Sequence, residues 1–419
     1  MVDLLLTNAR IADDQEPTNI GITGRLISSV GEVPREQAEA VIDCKGDVVI
    51  PGLIESHLHL DKALLDRLRP NLLGTLDAAI SITGELKAGF THENVGRRAR
   101  QVLEMAIQNG TTFIRAHPDV DPVVGVLGVE VMLEIRDEFK SLVEMQIVAF
   151  PQEGILKAPG TAELMREALR QGADVVGGCP YNEVDLDASQ AHVDEVFDIA
   201  EEFGLPVDMH ADFTNGTEDP RYTLAGYIAD VTIQRGYQGR VALGHMTTLS
   251  AMESPGREAV FDRLAEAGIT IVPLPATDMH LGGRGDRTNI RRGIAPVIEL
   301  LQHGVNVCYS TNNVRNAFTP YGKADLLEMG LFLAQTCHLS GPSAMKTILD
   351  MATYNAARNV GIADRYGLEV GRQADLVVLG TQCVADVLLD HPADRLVIKF
   401  GRVVARSTTT SELIQPAAI

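Results

Sequence analysis

Basic residues are scarce in this chain: 36 Lys and Arg stand against 57 Asp and Glu, for a formal charge of -21. So acidic a balance opposes binding to nucleic acid or anionic membrane, and it favours a small uncharged or cationic ligand over a polyanion. Cysteine is sparse too. Cys44, Cys179, Cys308, Cys337 and Cys383 are odd in number, widely scattered and without a CxxC, which argues against a disulfide framework or a cysteine zinc site. A reducing cytoplasm is the expected compartment. Nowhere do about 18 uncharged apolar residues run together, and the opening MVDLLLTNARIADD lacks a basic segment followed by a long apolar one. No membrane span or export signal is read. No G-x-G-x-x-G follows the first strand, so a doubly wound dinucleotide fold finds no support.

What is present alternates. Apolar, β-rich runs cover 111–119, 145–152, 174–180, 206–212, 240–247, 270–275 and 305–313, and with one ending at His59 they number eight. Amphipathic stretches before several of them close on Gly110, Gly172, Gly204, Gly268 and Gly304, the residue that stops a helix most readily. Strand and helix alternating eightfold predict a (β/α)8 TIM barrel, a fold of about 250 residues. Short β-rich runs at both chain ends, too small to bury a core separately, predict one β-sandwich built from 1–52 and 364–419 around a barrel of 53–363.

The central stretch is VVIPGLIESHLHLDK, residues 48–62. Side chains alternate across a strand, so His57 and His59 share a face, and imidazole is a common ligand for zinc or iron. Chemistry in such barrels sits at the C-terminal ends of the strands, and polar residues collect there: His57, His59, Asp61 and Lys62, then His117 and Asp119, Gln152, His210 and Asp212, His245, and Asn312 with Asn313. Four of the eleven histidines, His57, His59, His210 and His245, are thereby predicted to converge on one rim.

The blocks PGLIESHLHLDK, RAHPDV, IVAFPQEGIL, VDMHAD, GHMTT, NVCYSTNNVRNAFTPYG and GRQADLVVLG, in that order, resemble the amidohydrolase superfamily. Within it the chain is similar to the cytosine deaminase group, which includes N-isopropylammelide amidohydrolases. The resemblance implies a distorted barrel with a terminal β-sandwich, a hydrolase of non-peptide C–N bonds in small heterocycles, and homo-oligomeric assembly. It also implies that His57, His59 and His210 bind metal, that His245 polarises substrate or assists proton transfer, and that Gln152 contacts substrate. The GADVVGGCP block has no lysine of the kind that bridges two metals, so one divalent ion, zinc or iron, is expected.

Two positions depart from that pattern. The family aspartate of the eighth strand aligns with Asn312, whose amide is a weaker ligand and no useful base. The glutamate of the HxDE motif aligns with Phe213 in His-Ala-Asp-Phe, which makes cytosine itself a doubtful substrate. Alternation from His210 aims Asp212 inward, as a replacement acid or base or as a support for His210. Asp61, Lys62, Asp119, Asp278 and His280 are further candidates, and Arg284 lies in a glycine-rich loop able to close over the site. The expected catalytic set is His245, Asp212 and Asn312, with Gln152, Lys62, Phe213 and Asn313 against substrate and Asn312 beside the metal. The alternative is an amidohydrolase-like binding or regulatory protein that has lost its chemistry with the two carboxylates.

Overall fold

The computed structural model describes residues 2–214 and 216–414. Eight parallel strands run in sequence order through one sheet: Leu53–Leu58, Thr111–Ala116, Glu144–Ala149, Val175–Gly178, Val207–Ala211, Val241–His245, Thr270–Val272 and Asn306–Val307. The sheet closes where Leu58 bridges Asn312. There His59 N donates to Asn312 O at 2.8 Å and Asn312 N donates to His57 O at 3.0 Å. The fold is a distorted (β/α)8 barrel, its last strand regular over only 2 residues.

Helices connect the strands, as parallel crossovers require. Among them, Thr161–Gln171 and Leu186–Phe203 end as predicted, on Gly172 (φ 118°) and Gly204 (φ 69°), in a left-handed conformation that a Cβ would strain. The strands stop earlier than their apolar runs predict. Pro118, Pro151, Pro273 and Pro275 interrupt the runs, and proline cannot donate to a ladder. The polar tails beyond them are therefore loops.

Two four-stranded sheets come from the chain ends. One holds Leu26–Val30, Thr18–Thr23, Val2–Ala9 and Ala38–Asp43; the other holds Arg402–Ser407, Arg395–Lys399, Leu376–Leu379 and Val48–Pro51. Ala38–Asp43 is a strand absent from the sequence reading, because it is mostly exposed and lacks an apolar alternation. The sheets meet over a shared buried cluster, with Leu4, Leu6, Ile20 and Ile22 on one side and Val49, Leu376, Val378 and Ile398 on the other. Each such side chain contributes about 1.5–3 kcal/mol through burial.

Buried ion pairs fasten this layer to the barrel. Lys399 Nζ lies 2.6 Å from Glu144, the first residue of the third barrel strand, and 2.6 Å from Asp375. Arg395 grips Asp325 with two bonds of 2.9 Å. No helix among the described residues is long and apolar enough to cross a membrane.

Candidate active site

Period-two alternation on the first barrel strand turns Leu58 into the apolar core and His57 and His59 into the barrel interior, where His59 lines the pocket and His57 is fully buried. His210, near the end of the fifth strand, meets them: its Nε2 lies 2.7 Å from His57 Nε2 and 3.3 Å from His59 Nε2. His59 Nδ1 lies 2.8 Å from the His117 carbonyl oxygen, which can only accept, so Nδ1 carries the proton and Nε2 presents a lone pair. Burial, joined by His117, lowers the His57 pKa to about 3. Burial likewise holds His59 and His210 well below the ordinary histidine value. Neutral imidazole nitrogens brought together in this way can share an N–H or offer their lone pairs to a cation. Asn312 Oδ1, lining the same pocket, is buried without a hydrogen-bond partner. The set of three imidazoles and one orphaned amide oxygen suits a divalent metal.

Below the histidines lies a support layer. His117 stacks on His57 at 3.6 Å between ring centroids. Asp208 Oδ1 is 3.4 Å from His57 Nδ1 and 3.3 Å from His117 Nε2, while its Oδ2 accepts from Arg115 Nη1 at 2.9 Å. Burial alone would raise the Asp208 pKa, but His117 and His57 beside it hold the carboxyl well below its usual range. Glu55, two residues before His57, accepts from Ser310 Oγ at 2.5 Å and from the Thr311 backbone at 3.0 Å, which fixes the segment carrying Asn312. Asp208 and Glu55 were missed from the sequence, although each sits two residues before a candidate histidine and so on the same face.

The pocket is lined by the predicted His245, Gln152, Lys62, Phe213, Asn312 and Asn313. His245 Nδ1 lies 2.6 Å from Asp278 Oδ1, and its ring stacks on Phe213 at 3.8 Å. Burial raises the Asp278 pKa against the opposing pull of His245. Lys62 Nζ donates to Asp119 at 2.6 Å and to Gln152 Oε1 at 3.3 Å. Asn313 Oδ1 accepts from Asn316 at 2.6 Å, and its Nδ2 donates to Thr277 Oγ1 at 3.4 Å. Leu76, Tyr181 and Phe318 complete the wall. Leu76 and Tyr181 come from segments without a motif, and Phe318, although inside the NVCYSTNNVRNAFTPYG block, carries no polar group that would single it out.

Asp212 is not where alternation put it. A positive φ of 45° at this residue breaks the strand period just after His210. Its side chain turns away from the pocket and caps the helix Ala225–Gln234, with Oδ1 accepting from Leu224 N at 2.8 Å and Oδ2 from Ala225 N at 3.0 Å. Phe213 takes the pocket position instead. Asp61 also has a structural placement, accepting from the Asp119 backbone at 3.0 Å. Arg284 donates to the His280 carbonyl at 2.8 Å and does not line the pocket. Cys179 is buried, and burial pushes its thiol up to about 12.

Residues 48–404 match the model of the amidohydrolase family, across most of the chain and every strand that contributes to the site. The chain belongs to this family. It is 30% identical to the N-isopropylammelide isopropyl amidohydrolase of Pseudomonas sp. (strain ADP), over 96% of this chain and 97% of that protein. It is also 30% identical to the pterin deaminase of Rhizobium rhizogenes, over 91% of this chain and 85% of that protein. The crystal structure of 5-methylcytosine deaminase from Klebsiella pneumoniae superposes with a TM-score of 0.91 at 29% identity, covering 98% of this chain and all of that one. As an amidohydrolase, the protein is a hydrolase of C–N bonds other than peptide bonds, in a metal-dependent family.

Proposed function

We propose that this amidohydrolase cleaves a C–N bond of a small nitrogen heterocycle, with deamination as the main reaction and loss of an alkylamine or ring opening as variants. The convergence of bare imidazole nitrogens from His57, His59 and His210 carries the reading. The activities of the relatives support the substrate class. In this account those three histidines would hold one zinc or iron ion, with the Asn312 amide oxygen beside them as a further donor. Such an ion would supply Lewis acidity to the reaction.

The chain's own groups do the rest. In hydrolysis water oxygen bonds to the ring carbon, the carbon–nitrogen bond breaks, and a proton must pass from the water to the leaving nitrogen. His245 is the group for that transfer, since Asp278 at 2.6 Å orients its ring and stabilises the imidazolium formed when Nε2 takes the proton. Gln152 presents its amide to a ring edge, and its oxygen is already engaged by Lys62. Asn313 is held rigid by Asn316 and Thr277 as a further polar contact. Phe213 and Phe318 give the ring flat apolar faces. The same proposal takes 53–363 as the catalytic domain and 1–52 with 364–419 as the β-sandwich, in a cytoplasmic homo-oligomer.

The test is elemental analysis of freshly purified protein beside a His57→Ala/His59→Ala variant, followed by assay of heterocycles for ammonia or amine release. Near one equivalent of zinc or iron per chain, lost in the variant, together with product release, is the expected result. Protein that takes up no metal on reconstitution would overturn the proposal.

A further inference from the structure

Basic residues, scarce overall, gather in two short stretches, LLDRLR at 64–69 and NVGRRAR at 94–100. The fold brings both to one groove of about 570 Å³, and no residue lines both this groove and the pocket. Arg67 comes from the first stretch, Arg97 and Arg98 from the helix His92–Gln108, and Arg315 from the loop after Asn312. Counter-ions are few. Asp66 is the one carboxylate of the lining, and Arg315 Nη2 takes it at 3.2 Å. Nearby, Glu85 pairs with Arg69 and Glu138 with Arg100. Glu93, one turn before Arg97, is exposed, and a surface pair there would be weak. Arg67 and Arg97 make no ion pair and no side-chain hydrogen bond among the described residues. Arg98 is 3% exposed and bonds only neutral groups: Nη1 donates to the carbonyls of Asp61 and Ala63, each at 2.7 Å, and Nη2 to Asn94 Oδ1 at 3.5 Å. The Asp61 carboxylate accepts from the Asp119 backbone instead. Burial, with Arg97 beside it, lowers the Arg98 pKa to about 10 against the pull of Asp61.

The geometry points to a second binding site in this groove, outside the pocket, for a small organic phosphate: a phosphate monoester on a flat or apolar body. Guanidinium forks match phosphate oxygens bidentately. A phosphate monoester carries about -1.5 to -2 at pH 7, which answers the two unpaired arginines, Arg67 and Arg97, where a lone carboxylate leaves one over. Leu65, Leu68, Leu86 and Phe90 add apolar surface for the organic body, and a groove of this size admits it. The overall charge of -21 keeps long polyanions away. It does not exclude a small anion in contact with the arginines, because distant surface charges are screened over about 8–10 Å. The carbonyls that Arg98 holds flank Lys62, so the anion would sit against the loop that carries a pocket residue.

Titration calorimetry on the full chain, in about 0.15 M salt, tests this with phenyl phosphate, phenol, benzoate and inorganic phosphate as probes. Turnover is not needed, so the result is independent of the hydrolysis reading. Near one equivalent of phenyl phosphate per chain, held about tenfold or more tighter than each other probe, is the expected result. The double variant Arg67→Gln/Arg97→Gln should weaken that binding about tenfold or more. Both arginines are exposed and unpaired, so the variant keeps its fold, which an unchanged Tm verifies. Phenyl phosphate that does not bind, that binds no better than phenol, benzoate or inorganic phosphate, or that binds the double variant equally well overturns the proposal. A double variant whose particle mass falls in sedimentation also overturns it, because the groove is then filled by a second copy of the chain.

Discussion

Asp212→Asn separates a structural from a catalytic role for a residue that sequence alternation aims into the site. Both carboxylate oxygens accept backbone N–H groups at the start of Ala225–Gln234, at 2.8 Å and 3.0 Å, in a fully buried setting. An asparagine has one acceptor oxygen, so one N–H loses its partner and faces an amide N–H₂ instead. Losing a charge-assisted bond and burying an unsatisfied donor costs about 3 kcal/mol. For 419 residues the entropy of unfolding is about 0.9 kcal/mol/K near the midpoint, which converts the loss into a Tm lower by about 3 °C. Scanning calorimetry reads that shift, and steady-state assay with any accepted substrate should give kcat within threefold of wild type. A hundredfold fall in kcat with Tm unmoved would refute the capping assignment and return Asp212 to the chemistry.

His245→Asn should lower kcat by about 100-fold or more, with KM changed less than threefold, since the amide fills the space but cannot carry a proton. Unaltered turnover would remove His245 from the reaction. Glu144 is a test of acid stability. Burial would raise its pKa, but Arg365 and Lys399 pull it from 4.5 to about 2. A depressed carboxyl stabilises the fold above its unfolded pKa and loses that contribution as pH falls through 4.5 towards 2. With only 26% of the side chain exposed, the contribution is about 3 kcal/mol. Glu144→Gln should therefore lower Tm at pH 7 and flatten its fall below pH 4.5; parallel Tm–pH curves would show that the ion pairs contribute nothing. Arg395→Met leaves the Asp325 carboxylate buried without its bidentate partner, at a cost of about 3–5 kcal/mol. Adding Asp325→Asn should restore part of that loss in calorimetry.

Much of the site was legible because it obeys two simple periods. Alternation along a strand puts His57 beside His59, and the rule that barrel chemistry collects at strand ends brings His210 and His245 to the same rim. The same period, read backwards by two residues, would have found Glu55 and Asp208. Asp212 failed because one residue with positive φ ends the strand geometry, and no local signal in His-Ala-Asp-Phe announces it. Lys62 was named from its position. Its charge environment was hidden, because Asp119, Lys87, Asp121 and Glu153 meet only after three separate parts of the chain have folded together. Net charge describes the field far from the surface, whereas a buried pocket is set by the few groups that line it.

Barrel closure also bears on the order of folding. The backbone bonds joining His57 and His59 to Asn312 span some 250 residues of chain, and they are the contacts that complete the cylinder. Long-range pairings of this kind form late, because the loop they close must first be ordered by everything between its ends. His57 and His59 are therefore ready in the first strand long before Asn312 arrives. A ribosome-bound chain that has not yet emerged past residue 312 has an open sheet edge and an unfinished pocket. Deuterium uptake at the His59 and Asn312 amides would report the opening of this seam, and with it the transient dismantling of the site, in the folded protein.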